Sequence, residues 1–311
     1  MSLLVAIGGN AVHPENIKGT TEEQERIAEH AARVLLPLAN ATDRLLITHG
    51  NGPVVGKILL RMMLTRDAVP PMRLDVCVAH SQGGIGYMLI QALENEMRRT
   101  NARHDVTCVV TQVEVDPDDP AFADPSKPIG PFFSEREAHE FEQKGWRMME
   151  DAGRGWRHCV ASPEPRSVLN ADVIRRLLDA GLLVIAGGGG GVPVTRDGRG
   201  EWTGVQAVID KDLTSALLAK QLGIQDLLML TAVERVALDF GKPSQRDLER
   251  VTLSELREYQ RAGHFGRGSM APKVEAAIRH VAAGGRRAII GHLDHAEAAL
   301  AGRSGTHVVA G

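Results

Sequence analysis

Two lysines stand where a lysine is electrostatically costly. Lys211, in Val208-Ile209-Asp210-Lys211-Asp212, opens a helical pattern over 212–222, and Lys273, in Gly268-Ser269-Met270-Ala271-Pro272-Lys273, sits in the first turn of the next long helical pattern. A cation there opposes the helix macrodipole by a few tenths to ~1 kcal/mol. A bound polyphosphate would offset both costs. Lys127 is flanked by Pro125 and Pro128, which limit backbone freedom and preset its position. Asp212 is placed to orient the lysines by ion pairing, or to sit at a helix start for the dipole, while Asp210 reads as the N-cap. Lysines reaching one phosphoryl group from different segments suit phosphoryl transfer, which needs positive charge and little covalent help.

Glycine-rich turns supply the complementary half. Gly8-Gly9-Asn10, His49-Gly50-Asn51-Gly52-Pro53 and the run 187–191 each follow an apolar strand pattern, and Gly266-Arg267-Gly268-Ser269 precedes a helix. Such turns bring backbone N–H groups close to an anion, and a following helix N-terminus adds a favourable dipole. Ligands of open α/β sheets bind at the carboxyl ends of strands. Other chemistries lack their signatures: there is no G-x-x-x-x-G-K-[ST], no dinucleotide fingerprint, no G-x-S-x-G elbow and no H-E-x-x-H pair. No metal ligand set is expected, and His49 reads as structural.

The elements that must position these residues alternate along the chain. Strands are expected at Leu3–Ile7, Arg44–Thr48, Val106–Thr111, Leu182–Ala186, Leu227–Thr231 and Ala288–Gly291, nearly all apolar, as strands covered on both faces are. Helices are expected at Thr21–Asn40 with a Thr21/Gln24 capping box, Ser81–Arg99, Val168–Ala180 and Ala271–Ala283. The order predicts a parallel sheet with right-handed crossovers and helices on both faces. From Val113 to Pro165 the rhythm breaks in a stretch too long for a connection. It carries a Ser134/Glu137 capping box and Phe122, Phe132, Phe133, Trp146 and Trp156, which need somewhere to pack. A small inserted subdomain, or lid, within one domain spanning 1–311 is the expectation.

Composition agrees with an enzyme of small molecules. Of 311 residues 43% are hydrophobic, and 36 Lys and Arg against 39 Asp and Glu give a net charge of −3, with none of the basic excess that nucleic acid or anionic membrane would favour. Cys77, Cys108 and Cys159 are odd in number and lack metal spacing. The N-terminus lacks a signal-peptide pattern and no apolar run reaches the ~18 residues of a membrane span. A cytoplasmic location is expected.

The segments AIGGNA (6–11), THGNGP (48–53), SQGGIGY (81–87), DPAF (119–122), KPIGPFF (127–133), EDAGRGW (150–156), GGGGGVPV (187–194), GVQAVIDKDLTSALLA (204–219) and GSMAPKVEAAI (268–278) resemble those of the carbamate kinases of the amino acid kinase superfamily, in order and spacing over essentially the whole chain. The resemblance implies a three-layer αβα sandwich on an open, mostly parallel sheet of about eight strands, with a small protruding subdomain. It implies a homodimer and the reaction ATP + carbamate ⇌ ADP + carbamoyl phosphate, with Mg²⁺ between the nucleotide phosphates. Gly8, Gly9, Asn10, Gly50, Asn51 and Gly52 would hold phosphate. Lys127, Lys211 and Lys273 would stabilise the transferring group, with Asp212 organising them. The nucleotide would lie near Leu230, Thr231, Val233, Ser269 and Met270. Most superfamily members carry a lysine just before the first Gly-Gly; here Ile7 stands there, as in carbamate kinases, and Lys127 would serve instead. Val54, Val233–Ala237 and Ala271 depart from the usual pattern around the nucleotide. A superfamily kinase for another small carboxylate or carbamate-like acceptor, and a catalytically silent nucleotide-binding homologue, are the alternatives.

Overall fold

The computed structural model describes residues 1–9, 17–151, 153–266 and 270–311. Its centre is β1 (Ser2–Ile7), whose side chains alternate between two cores, as a strand buried on both faces must. Leu4 and Ala6 face one apolar cluster, Leu3, Val5 and Ile7 the other. β2 (Arg44–His49), β9 (Leu183–Ile185) and β3 (Val106–Cys108) extend the sheet on one side. β12 (Asp226–Thr231), β16 (Arg287–His292), β17 (Thr306–Val309) and β15 (Arg250–Thr252) extend it on the other. Six strands run parallel; β17 is antiparallel to β16, and β15 follows β17. The eight-stranded, mostly parallel sheet is the expected one.

Helices α1 (Thr21–Asn40) and α3 (Leu74–Thr100) cover one face with Leu35, Leu38, Leu89 and Leu93. Helices α5 (Ala171–Asp179), α6 (Lys211–Leu222) and α8 (Met270–Ala282) cover the other with Ile174, Leu218, Val274 and Ile278. Several boundaries differ from expectation. The capping box of α1 is Thr20 with Glu23, one residue upstream of the one expected. Helix α3 begins at Leu74 rather than Ser81, and it runs through Gly83, Gly84 and Gly86, as expected, despite their helix cost of ~1 kcal/mol each. Gly86 is there for contact: a Cβ on it would lie 2.4 Å from Cys108 Sγ. The expected strand to Thr111 stops at Cys108, and the expected helix from Val168 starts at Ala171, Val168 being the end of a strand. Among the described residues three helices were not anticipated, α2 (Gly52–Thr65), α7 (Leu253–Arg261) and the short α9 (Ala296–Leu300).

A second sheet pairs β4 (Gln112–Val115) with β8 (Pro165–Val168) and with β10 (Val192–Arg196), which β11 (Trp202–Gly204) flanks. The β4–β8 pairing brings together both ends of the stretch that breaks the strand–helix rhythm. Between them β5 (Lys127–Phe133), β7 (Trp156–Val160) and β6 (Met148–Glu150) form an antiparallel sheet beside α4 (Glu135–Glu142), capped by Ser134 and Glu137 as expected. Phe133, Phe141, Trp146 and His158 form a ring stack there, with successive centroids at 4.8, 4.9 and 4.2 Å. Strand β5 docks on α2: a Cβ on Gly56 would lie 2.1 Å from Gly130 Cα. The remaining pair is β13 (Val236–Leu238) with β14 (Arg246–Leu248). Among the described residues no helix is long and apolar enough to cross a membrane.

Candidate active site

The chain leaves β1 for β2 on one side and reaches β12 on the other, which puts a switch point at the carboxyl end of β1, where open sheets take ligands. A cavity of about 630 Å³ opens there. Gly8, Gly9, Gly50, Asn51 and Gly52 line its floor. The two turns touch backbone to backbone. Gly8 N donates to Leu230 O and Gly50 N to Ile7 O, both at 3.0 Å, and a Cβ on Gly50 would lie 2.7 Å from Gly9 N. Gly52 begins α2, with Pro53 behind it, so the N-terminus of a 14-residue helix faces the cavity. Asn10 and Ser269 lie outside the described residues.

The glycines do not all serve the cavity. Of the run 187–191 only Gly189 lines it. The run is a buried loop with left-handed φ at Gly187, Gly189, Gly190 and Gly191, pressed on side chains. A Cβ on Gly188 would lie 2.4 Å from His49 Nε2, and one on Gly189 2.1 Å from Asn51 Nδ2. These glycines are spent on packing. Asn51 Nδ2 donates to Ser81 Oγ at 2.8 Å, so its side chain fixes the turn to α3. His49 is structural, as read: burial pushes its pKa down to about 4, and Nδ1–H donates to Gly50 O at 3.0 Å.

The lysines converge from three segments. Lys211 and Lys273, from the first turns of α6 and α8, meet the two oxygens of Asp212 at 2.5 and 3.2 Å. Lys127, at the start of β5, meets Asp210 Oδ2 at 2.9 Å. The other oxygen of Asp210 caps α6, accepting from Asp212 N at 2.9 Å and Leu213 N at 3.5 Å. One carboxylate thus ties the inserted sheet to the helix carrying Lys211. Burial alone would raise the Asp210 carboxyl, but Lys127 and Lys211 hold it far below its usual range. Burial lowers Lys211, with Lys273 beside it acting the same way and Asp212 opposing; for Lys273, burial is outweighed by Asp212 and Asp210, which raise it. The start of α6 is held by Thr214 Oγ1 donating to Gly190 O at 2.8 Å and by Ser215 Oγ meeting Thr48 Oγ1 at 2.7 Å.

Five cations, Lys57, Lys127, Arg157, Lys211 and Lys273, and three carboxylates, Asp210, Asp212 and Asp294, line the cavity, a clear positive excess in a chain of net charge −3. Arg157 and Lys57 were not picked out in the sequence, and Phe132 only as an aromatic that needs somewhere to pack. Arg157 projects from β7, donates to Gly130 O at 3.1 Å, pairs with Asp151 at 3.3 Å and lies over Phe132. It directly follows the segment EDAGRGW, which was the available signal. Of the residues expected at the nucleotide, Thr231 lines the cavity, as do its neighbour Ala232 and Pro272. Leu230 does not: its side chain is in the core and its carbonyl is taken by Gly8. Val233 lies away from the lining, and Met270 packs on the core beneath α8.

The model of the Amino acid kinase family matches residues 1–292. The carbamate kinase of Thermococcus kodakarensis is 47% identical over 99% of this chain and 98% of its own. The chain belongs to the carbamate kinases of the amino acid kinase family. Carbamate kinase from Giardia lamblia bound to citric acid superposes with a TM-score of 0.95 at 41% identity, covering 99% of this chain and 98% of that one. The same Giardia enzyme bound to AMP-PNP superposes at 0.90, with the same identity and coverage. Full-length similarity at this level extends to the inserted strands that carry Lys127 and Arg157.

Proposed function

We propose that this chain catalyses reversible phosphoryl transfer between ATP and carbamate, and that the inserted strands act as a lid supplying one of the transferring lysines. The observation that carries the reading is the meeting of Lys127, Lys211 and Lys273, from separate segments, over glycine turns at one end of the sheet. In the direction of ATP synthesis, a β-phosphate oxygen of ADP attacks the phosphorus of carbamoyl phosphate. The new P–O bond forms as the bond to the carbamate oxygen breaks, and carbamate leaves with the electron pair. Lys127, Lys211 and Lys273 neutralise the charge on the moving phosphoryl group, and the N–H groups of Gly9 and Gly52 together with the α2 dipole hold its oxygens. Asp212 keeps two ammonium groups fixed, so little reorganisation accompanies transfer. The nucleotide extends past Thr231 and Ala232 toward Pro272, in keeping with the AMP-PNP held by the Giardia relative.

Mg²⁺ enters as part of the nucleotide substrate. Asp210 and Asp212 are already ion-paired, and no group of three metal-binding side chains occurs among the described residues. That fits an ion carried mainly by phosphate oxygens. The acting form is a homodimer: Val76 and Tyr87 on α3, with Val110 nearby in sequence to β3, are exposed apolar side chains of the kind a second copy covers.

The test is ATP formation from Mg·ADP with carbamoyl phosphate, run beside acetyl phosphate as a small carboxylate donor. Carbamoyl phosphate should give the higher kcat/KM. A preference for acetyl phosphate would move the acceptor to another carboxylate, and no ATP above background from folded protein would remove the kinase reading.

A further inference from the structure

A second cavity, of about 290 Å³, lies at the far edge of the main sheet. Arg235, Arg250, Arg287, Arg303 and His307 line it, against a single carboxylate, Glu249. Strand alternation separates it from the nucleotide side. Val251 and Val308 turn into the core under α6 and α8, so Arg250, His307 and Val309 turn to the opposite face. Register puts Arg250 directly beside His307.

The positive charge is poorly compensated within the protein. Arg235 pairs with Glu249 at 3.1 Å. Arg287 reaches Asp226 only at 3.4 Å, and that carboxylate is already gripped by both arms of Arg286. Arg250 and Arg303 make no ion pair with a described residue, and the Nε atoms of Arg235 and Arg287 are buried without a hydrogen-bond partner among the described residues. His307 is held neutral, burial lowering its pKa with Arg287, Arg250 and Arg235 acting the same way, while its Nε2–H donates to Ser304 O at 2.9 Å. In a chain with slightly more acids than bases, four arginines around one concavity repel one another, and a multivalent anion relieves that repulsion. Planar guanidinium forks match phosphate oxygens bidentately.

We propose that this cavity is a second anion site, separate from the phosphoryl-transfer cleft, that takes a small phosphate-bearing molecule between Arg250 and Arg303, beside His307. The probe is inorganic phosphate, titrated at constant ionic strength into the full chain while the His307 ring resonances are followed by NMR and assigned with His307→Gln. Saturable movement is expected in the wild type and unchanged in Lys127→Ala, whose lesion is in the cleft. Arg303→Ala, on an exposed loop, and Arg250→Gln, on the edge strand, should each weaken the curve by about tenfold. Glycerol 3-phosphate, titrated in the same way, separates the sources: tighter saturation than phosphate marks a phosphate monoester as the occupant, and weaker saturation the free ion. The proposal is overturned if His307 moves no more with phosphate than with chloride, or if both arginine variants keep the wild-type curve.

Discussion

On the main sheet Lys211, Lys273 and Asp212 are 9, 10 and 4% exposed, and all three sit on helices rooted in the core. On the inserted strands Lys127 is 23% exposed, its partner Asp210 is 18% exposed, and the contact joins the inserted sheet to the N-cap of α6. The cleft therefore has a fixed wall and a docked wall of like charge. On the fixed wall desolvation is severe and ion pairing must match it, so charge there is bound up with folding. On the docked wall the Lys127–Asp210 pair is less buried, and under the proposed function its opening delivers or withdraws charge with the substrate. Closure of such elements commits substrate and excludes water.

That contrast can be broken from either side. The largest effect is expected for Asp212→Ala, which leaves two buried ammonium groups without their shared carboxylate. Stability should fall by about 3–5 kcal/mol in denaturant unfolding, with turnover lost; an unchanged unfolding midpoint would show that the fixed wall does not depend on its ion pairs. Gly56→Ala tests the docked wall. It favours helix α2 by propensity, yet its methyl meets Gly130, three residues from Lys127. Turnover should drop by about ten- to a hundredfold in a folded protein, and full activity would mean that β5 shifts freely. The smallest effect concerns pH. His49, behind the fixed wall, and His158, in the docked sheet, are both lowered by burial from about 6.5 to about 4. Neutral imidazole is the folded form, so stability is fully present above 6.5 and declines as pH falls toward 4, by on the order of 1 kcal/mol per unit at most for each group. His158→Phe keeps the ring stack and removes that group's titration, so its acid-side slope should be shallower; a slope equal to that of the wild type would assign the decline elsewhere.

The strands were readable because burial on both faces leaves almost unbroken apolar runs, and the alternation of runs with helical patterns gave the sheet. What was not readable was tertiary in origin. The start of α3 was hidden because its N-cap, Arg73, is not a usual capping residue and makes no side-chain cap hydrogen bond. The 187–191 run looked like an anion loop and is mostly a packing loop, because the same lack of a Cβ serves both purposes. At the site the lysines stood out through their cost at helix starts. Asp210 read only as an N-cap, because nothing local tells that its second oxygen meets Lys127 from 83 residues away. Leu230 was placed at the nucleotide by the family resemblance, yet the pleat turns it into the core.

The most direct measurement is turnover and ADP affinity determined side by side on Lys127→Ala. The account predicts ATP formation from Mg·ADP and carbamoyl phosphate slower by about 10²–10⁴-fold, with ADP affinity within about threefold of wild type and an unchanged melting temperature. Near-normal turnover, or a loss of ADP binding that matches the loss of rate, would contradict the claim that the docked wall supplies charge for the transfer step.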